Sequence, residues 1–107
     1  DSNTVSVTDF PSIPSKFELY QNYPNPFNPI TTIRFTVASA QEIQLNIINL
    51  SGQIVNTLLP QRKIEAGSHS IQWNGKNNNG KELPSGIYFA QLRNDTIVLT
   101  KKLILMR

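Results

Sequence analysis

The side chains that could support catalysis are few and widely spaced in this 107-residue chain. His69 is the single histidine, and it lies between Ser68 and Ser70. Neighbouring side chains of a strand point to opposite faces, so neither serine is placed to exchange a proton with the imidazole. A nucleophilic triad also needs an acid that orients the histidine, and no spacing here suggests one. We therefore interpret His69 as a half-buried structural residue.

The acidic residues and the absence of cysteine also argue against catalysis. Glu82 and Asp95 come nearest to a carboxylate pair, but nothing in the sequence brings them to the defined separation that glycoside hydrolysis requires. The chain contains no cysteine, which excludes disulfide bonds and thiolate chemistry. We expect that the protein is not an enzyme.

Two segments have the composition of ligand sites. The loop Asn74–Gly80 is superficially similar to a calcium loop, but it offers amides where such a loop uses carboxylates and a bidentate glutamate. We interpret it as a hairpin loop and expect no metal or other cofactor. Trp73, Tyr88 and Phe89 could form a platform on which a sugar stacks, but Trp73 is in register with Ile71, which favours burial instead.

Charge and hydropathy restrict the partners. Residues 1–30 carry a net charge of −2 and residues 31–107 a net charge of +5, with basic pairs only at 62–63 and 101–102. Nucleic-acid modules cluster their basic residues and interleave aromatic ones, so we expect no nucleic acid partner. No apolar run approaches the ~20 residues of a membrane span, so we also expect no membrane insertion. The first residues lack the regions of a signal peptide, so an exported protein would need its signal elsewhere.

Most of the chain alternates between apolar and polar residues, which is typical of strands with one buried face. For example, Ile33, Phe35 and Val37 would share one face of a strand and Thr32 and Arg34 the other. Pro60 is expected to end the strand over residues 54–59. The spacing predicts an all-β fold, an antiparallel β-sandwich of about seven strands. The expected strands are 17–20, 31–37, 42–48, 54–59, 66–75, 87–94 and 96–107.

The segment "NYPNPFNP", residues 22–29, concentrates three prolines, each of which fixes φ and removes a backbone donor. The residues before the prolines are also driven towards extended conformations. We interpret residues 22–29 as a rigid strap at a sheet edge that plugs one end of the sandwich with Tyr23 and Phe27. The alternative is a polyproline ligand for another protein.

The first residues differ from the rest of the chain. Residues 1–16 are polar, contain two prolines and show no sustained periodicity. This composition predicts a linker from an upstream cargo domain, followed by one folded domain over residues 17–107.

Four ordered stretches carry a family resemblance: "YPNPFNPITTIRFTV", "IQLNIINLSGQIVNTLL", "AGSHSIQWNGKNNNGKELPSGIYFAQLRN" and "TKKLILMR". Together they resemble the type A C-terminal sorting domains of the bacterial type IX secretion system. These domains are similar to the Ig-like domain of the flagellar hook-capping protein. The resemblance spans residues 17–107. Its motif residues are Tyr23, Pro24, Asn25, Pro26, Phe27, Pro29, Gly52, Trp73, Gly75, Gly80, Gly86 and Tyr88.

The resemblance implies an Ig-like or fibronectin-III-like sandwich that acts as a non-catalytic address. Cargo would cross the periplasm, be recognised by outer-membrane secretion machinery and become secreted or attached to the cell surface. A surface sorting peptidase would then remove the domain. The rival hypothesis is an accessory module for adhesion or carbohydrate binding on a secreted hydrolase. This chain has Asn74 and 77–79 where the family often has acids, which makes a cation less expected there.

The last predicted strand is apolar on both faces near its end, although a sandwich strand needs only one apolar face. One explanation is that the proline strap covers it or that the tail is simply apolar. The other is an exposed edge that a receptor completes by adding a strand, with lysines that limit self-association. We expect a monomer, with dimerisation through this edge as the alternative. Deleting residues 103–107 should abolish export and change the melting temperature modestly. The predicted recognition residues are Lys101, Lys102, Leu103, Ile104, Leu105, Met106 and Arg107.

Overall fold

The computed structural model of the chain describes residues 16–107, and the predicted linker 1–16 lies outside these residues except for Lys16. The described residues form seven β-strands joined by turns and loops. None of them forms a helix of the length and hydrophobicity that a bilayer span requires. The strands are β1 (Glu18–Leu19), β2 (Thr31–Val37), β3 (Gln41–Ile48), β4 (Ile54–Ile64), β5 (Gly67–Trp73), β6 (Gly86–Arg93) and β7 (Val98–Leu105).

The strands form two antiparallel sheets that enclose one core. The smaller sheet has the order β1-β2-β5, and the larger sheet has the order β4-β3-β6-β7. The two inner faces supply a single hydrophobic cluster, as expected for sheets packed face to face. The predicted all-β sandwich of about seven strands is therefore confirmed.

The alternation read from the sequence places side chains correctly on the two central strands. The side chains of Ile33, Phe35 and Val37 in β2 are buried, whereas Arg34 between them is exposed. In β3 the side chains of Ile43, Leu45 and Ile47 lie in the core, but the polar Asn46 between the last two is buried as well. Burying one such side chain contributes roughly 1.5–3 kcal/mol, so this pattern is the main stabilising feature of the fold.

The prediction that Pro60 ends a strand is wrong, because β4 continues past it. Leu45 lies opposite Leu59 and Ile43 opposite Arg62, so two residues of β4 face one residue of β3 at this point. Such a bulge on an outer strand is a position where a missing N–H does not interrupt the ladder. Proline therefore marks a bulge here and not a strand end.

The last strand is shorter than predicted. Its expected first residues belong to the turn after β6, where the side-chain oxygen of Asn94 accepts the backbone N–H groups of Thr96 and Ile97 at 2.9 and 2.7 Å. β7 pairs only with β6 within its sheet and is thus an outer strand. The strands β2, β5, β6 and β7 have an end at one pole of the sandwich, where residues 22–30, 74–85 and 106–107 meet. We name this pole the motif end.

Candidate partner-recognition surface

The proline strap, residues 22–29, pairs with the end of β7 at the motif end. The N–H of Phe27 donates to the carbonyl of Ile104 at 2.9 Å, and the N–H of Met106 donates to the carbonyl of Phe27 at 2.9 Å. The side-chain oxygen of Asn25 accepts the N–H of Ile104 at 2.9 Å. The strap therefore covers the outer edge of this part of β7, which is the first of the two explanations offered for its two apolar faces.

Phe27 anchors the strap in the core, as the sequence predicted. Its side chain is only 2% exposed, and its ring centroid lies 5.6 Å from that of Trp73. Trp73 in turn contacts Tyr88 edge to face, with centroids 5.5 Å apart. The strap, β5 and β6 are thus joined by three aromatic side chains in a geometry that aromatic rings prefer.

The second predicted plug, Tyr23, is not in the core: its side chain is 78% exposed. The backbone of Tyr23 exchanges two hydrogen bonds with Thr32, which fixes its position at the edge of β2. Its neighbour Asn22 points inward instead, and its amide nitrogen donates to the hydroxyl of Thr31 at 2.8 Å and to the carbonyl of Pro24 at 3.1 Å. Because adjacent residues of an extended segment face opposite ways, Asn22 inside requires Tyr23 outside.

Arg107 connects the end of β7 to the loop that precedes β6. Its guanidinium donates to the carbonyl of Leu83 and, at 2.7 Å, to the carbonyl of Gly75. Its backbone N–H donates to the hydroxyl of Ser85 at 2.8 Å, and a carboxylate oxygen of Glu82 lies 3.8 Å from the guanidinium. Such charge-assisted bonds are stronger than neutral ones. We name this group of contacts the Arg107 latch.

Gly75 is required by the same latch. Its φ of +74° is a conformation that glycine adopts without strain, and a Cβ added here would lie 2.8 Å from the Nη2 atom of Arg107. Leu105 closes the other side of this contact. At the "WNG" stretch the loop therefore lies very close to the end of β7.

Tyr88 is held by a specific contact as well as by packing. Its hydroxyl donates to the carbonyl of Pro84 at 2.7 Å, which ties β6 to the "LPSG" turn before it. Burial raises the pKa of the Tyr88 phenol above its ordinary value, while the positive charge of Arg107 lowers it to a smaller extent. The neutral phenol is therefore the form that the fold favours.

The asparagine-rich loop uses its side-chain oxygens within the protein. The Asn77 oxygen accepts the backbone N–H groups of Asn79 and Lys81 at 2.9 and 3.0 Å, and the Asn78 oxygen accepts the N–H of Thr57 at 2.9 Å. Local bonds of this kind are typical of asparagine in turns. Among residues 16–107 no group of three or more His, Cys, Asp or Glu side chains is arranged to hold a metal ion.

The seven predicted recognition residues have different surroundings. Leu103 and Leu105 are completely buried, Ile104 is half-buried, and Arg107 forms the latch. The remaining three residues are exposed: Lys101, Lys102 and Met106. Arg107 is also exposed as a residue, but its side chain is only 23% exposed because of the latch.

The residues considered for other chemistry are placed apart or buried. His69 is half-buried and stacks on Phe35 with centroids 5.3 Å apart, as expected of a structural residue. Glu82 and Asp95 lie beyond opposite ends of β6, and eight extended residues span roughly 25 Å. No carboxylate pair is therefore formed by these two residues.

No sugar platform is assembled, in agreement with the burial that the register of Trp73 with Ile71 predicts. Trp73 and Tyr88 are 1% and 5% exposed and belong to the core, while Phe89 follows Tyr88 in β6 and points to the opposite face. Sequence reasoning missed the polar contacts of the strap, namely Asn22, Asn25 and the bond from Gln21 Nε2 to the carbonyl of Lys102 at 2.7 Å. Asparagine before proline was an available signal for Asn25 alone, and it does not identify the donor on the other strand.

The fold is similar to parts of several solved structures. Dimeric latent PorU from Porphyromonas gingivalis gives a TM-score of 0.61 with 21% identity over 79% of this chain and 9% of that chain. PorZ, an essential surface component of the type IX secretion system of that organism, gives a TM-score of 0.56 with 19% identity. The match covers 99% of this chain and 13% of PorZ. FlgD from Xanthomonas campestris, associated with flagellar hook capping, gives a TM-score of 0.51 with 26% identity. The match covers 71% of this chain and 55% of FlgD.

These values establish a shared fold, and the predicted relation to the hook-capping protein is confirmed. The chain spans only about a tenth of PorU and of PorZ. No curated protein sequence matches it.

A family model described as the secretion system C-terminal sorting domain matches residues 21–106. This range contains the strap, both sheets apart from β1, and the whole motif end except Arg107. It therefore covers most of the chain and all of the motif residues on which the sequence resemblance depended. The chain belongs to the family of secretion system C-terminal sorting domains.

Proposed function

We propose that this domain is a non-catalytic sorting signal that directs an attached cargo protein through the outer membrane by the type IX secretion system. The observation that carries the proposal is the family match over residues 21–106. It is supported by the likeness of the fold to parts of PorU and of PorZ, a component of that system. The domain would act by being bound, and it would carry out no chemical step.

Recognition would depend on the folded domain, because the strap and the Arg107 latch hold the exposed groups in place. Tyr23 projects from a backbone that is fixed by two bonds to Thr32, and Lys101 and Lys102 project from β7. A surface fixed before binding loses less conformational entropy when a partner binds. Exposed tyrosines are common anchors in protein interfaces.

The route of the cargo follows from the same proposal. Cargo would enter the periplasm by a separate signal and be recognised there by outer-membrane secretion machinery. It would then reach the medium or the cell surface. A surface sorting peptidase would remove the domain after export. Mass spectrometry of the exported cargo tests this last step, since removal predicts that peptides from residues 17–107 are missing from it.

The rival hypothesis of an adhesive or carbohydrate-binding module makes the opposite prediction. The domain would remain on the exported protein, and the purified domain would bind polysaccharide. The burial of Trp73 and Tyr88 removes the stacking surface on which the carbohydrate version depended. Retention together with polysaccharide binding would favour the rival.

The direct test is an export assay. Residues 1–107 are fused to a fluorescent reporter that carries its own periplasmic signal peptide, in a bacterium with a type IX system. We expect the reporter outside the cell only when the translocon is intact. Reporter that stays in the periplasm, although the domain is folded, would overturn the proposal.

A further inference from the structure

The outer edge of β7 is covered along only half of its length. Along this edge, alternate residues direct both their N–H and carbonyl groups away from β6. The contacts of the strap identify the outward residues, because both backbone groups of Ile104 and the N–H of Met106 bond to the strap. The carbonyl of Lys102 is bound by Gln21. By the same alternation, Val98 and Thr100 also point outward.

The start of β7 has no strand partner on its outer side among residues 16–107. The open groups are those of Val98 and Thr100 and the N–H of Lys102. Unpaired edges are places where another strand can be added, so proteins usually protect them. Here the segment is bounded by the turn after β6 on one side and by the Gln21 contact on the other. Some Cα atoms of β1 lie within 8 Å of Cα atoms of β7, but the two strands share no backbone ladder.

The other long edge of the larger sheet is protected by several features. β4 contains Pro60 and a bulge, and the asparagine-rich loop bonds to it through Val55 and Thr57. In contrast, the open part of β7 carries two exposed cations, Lys101 and Lys102. Arg93, exposed on the neighbouring strand, lies opposite Val98 and adds a third.

These charges determine which occupant fits. In an antiparallel pair of two copies centred on Thr100, the two Lys101 side chains would be diagonal neighbours within roughly 8 Å, where like charges repel. A strand with carboxylates would instead be attracted to Lys101, Lys102 and Arg93. The lysines would thus exclude a second copy and select an acidic partner.

We propose that the open edge of β7, residues 98–102, is completed by a short extended segment of the secretion machinery that carries acidic side chains. This inference rests on the proposed function and moves the predicted recognition from residues 101–107 to residues 98–102, because Leu103 and Leu105 lie in the core and Ile104 bonds to the strap. Main-chain hydrogen bonds would provide affinity, and the cations would provide specificity.

Substitutions that remove one outward N–H test the proposal in the reporter fusion. Thr100→Pro removes a backbone N–H that does not bond to β6, so the fold is retained. Thr100→Ala keeps this N–H. Ser70→Pro is the matched control, because its N–H points outward on β5, which is also an outer strand. Losing one main-chain bond and admitting a proline ring should lower export about tenfold for Thr100→Pro. Thr100→Ala and Ser70→Pro should match the wild type, and melting temperatures check the fold.

Charge substitutions form the second arm. Reversing both lysines to glutamate should reduce export more than replacing them with glutamine. Unchanged export of Thr100→Pro, or equal losses with Ser70→Pro, would overturn the proposal while leaving the sorting function intact. Slow hydrogen exchange of the Thr100 amide in the free protein would also overturn it, since the edge would then already be covered by this chain or by a second copy.

If the wild-type fusion is not exported at all, the proposed function fails, and binding of a peptide decides the edge proposal. The probe is a short synthetic peptide in which valine alternates with glutamate. We expect it to shift the amide resonances of Val98, Thr100 and Lys102, and a peptide with lysine in place of glutamate to leave them unchanged. No shift with the glutamate peptide would overturn the proposal.

Discussion

Arg107 and Gly75 show how single residues hold the motif end together. The guanidinium of Arg107 reaches carbonyl groups of Gly75 and Leu83, which lie on the two sides of the loop between β5 and β6. This is possible only because Gly75 has no side chain in the path of the arginine. The single side chain of Arg107 therefore holds the loop that contains the "WNG" and "LPSG" stretches.

We predict that Gly75→Ala destabilises the domain more than Gly80→Ala. Both glycines have a positive φ, near +74° and +80°, so both substitutions add a strain of roughly 1–2 kcal/mol. Only at Gly75 would the new methyl group also displace Arg107 and break its bonds, because nothing lies within 4 Å at Gly80. Urea denaturation of the two variants measures the difference. Equal losses of free energy would show that the latch contributes nothing.

We predict that Tyr88 contributes stability that is lost in alkali. Its folded pKa is raised above the ordinary 10.0, so its contribution is complete below pH 10 and declines as the pH rises through the folded pKa. Tyr88→Phe should lower stability at neutral pH by about 1 kcal/mol, because the bond to Pro84 is lost, and should reduce the alkaline loss. Melting temperatures measured across alkaline pH compare the wild type with this variant. If the alkaline loss of stability were the same in the variant, it would have to come from groups other than Tyr88.

At the scale of elements, the strap combines a buried anchor with an exposed side chain. Phe27 is enclosed by Trp73 and the end of β7, whereas Tyr23 lies outside. The strap also supplies backbone groups that pair with the end of β7, so it stabilises this part of the strand edge. It is a structural element whose exposed residue is available for binding.

We predict very different losses of stability when the two aromatic residues of the strap are replaced. Phe27→Ala should cost roughly 3–5 kcal/mol, because it leaves a cavity beside Trp73. Tyr23→Ala should cost less than about 0.5 kcal/mol, because the side chain is mostly in solvent. Denaturation of the purified variants measures both. If Tyr23→Ala reduced stability as much as Phe27→Ala, Tyr23 would have to be packed against the protein in solution.

The structure changes the expectation for the last strand. From the sequence alone, deleting residues 103–107 should alter the melting temperature only modestly. The deletion would remove Leu103 and Leu105 from the core together with the Arg107 latch. Each buried leucine accounts for roughly 2–5 kcal/mol, so we now expect the domain to unfold. Calorimetry of the truncated chain checks this, and a retained cooperative transition near the wild-type temperature would contradict it.

Across the whole molecule, local patterns were predictable and long-range partners were not. The alternation of Ile33, Phe35 and Val37 sufficed to assign a strand and its buried face, because that pattern depends only on neighbours in sequence. The inward turn of Asn22 depends on Thr31, and the end of β7 depends on strap residues more than seventy positions earlier. Such contacts produce no periodic pattern in the sequence. Pro60 was misassigned because a single sequence does not show which strand is outermost.

Native proteins typically have a free energy of unfolding of only about 5–15 kcal/mol. The contacts that hold the motif end therefore also determine whether any recognition surface exists. Variants that unfold the domain and variants that alter only its surface must be separated when export is measured. The exposed substitutions at Thr100, Lys101, Lys102 and Tyr23 meet this requirement.

The central claim is tested most directly by the fraction of reporter found outside the cell. A periplasmic fluorescent protein is compared with and without residues 1–107 fused to its C-terminus, in strains with and without the type IX translocon. We expect extracellular reporter only for the fusion in the strain with the translocon. Equal extracellular fractions for the fused and unfused reporter in that strain, with the domain folded, would contradict it.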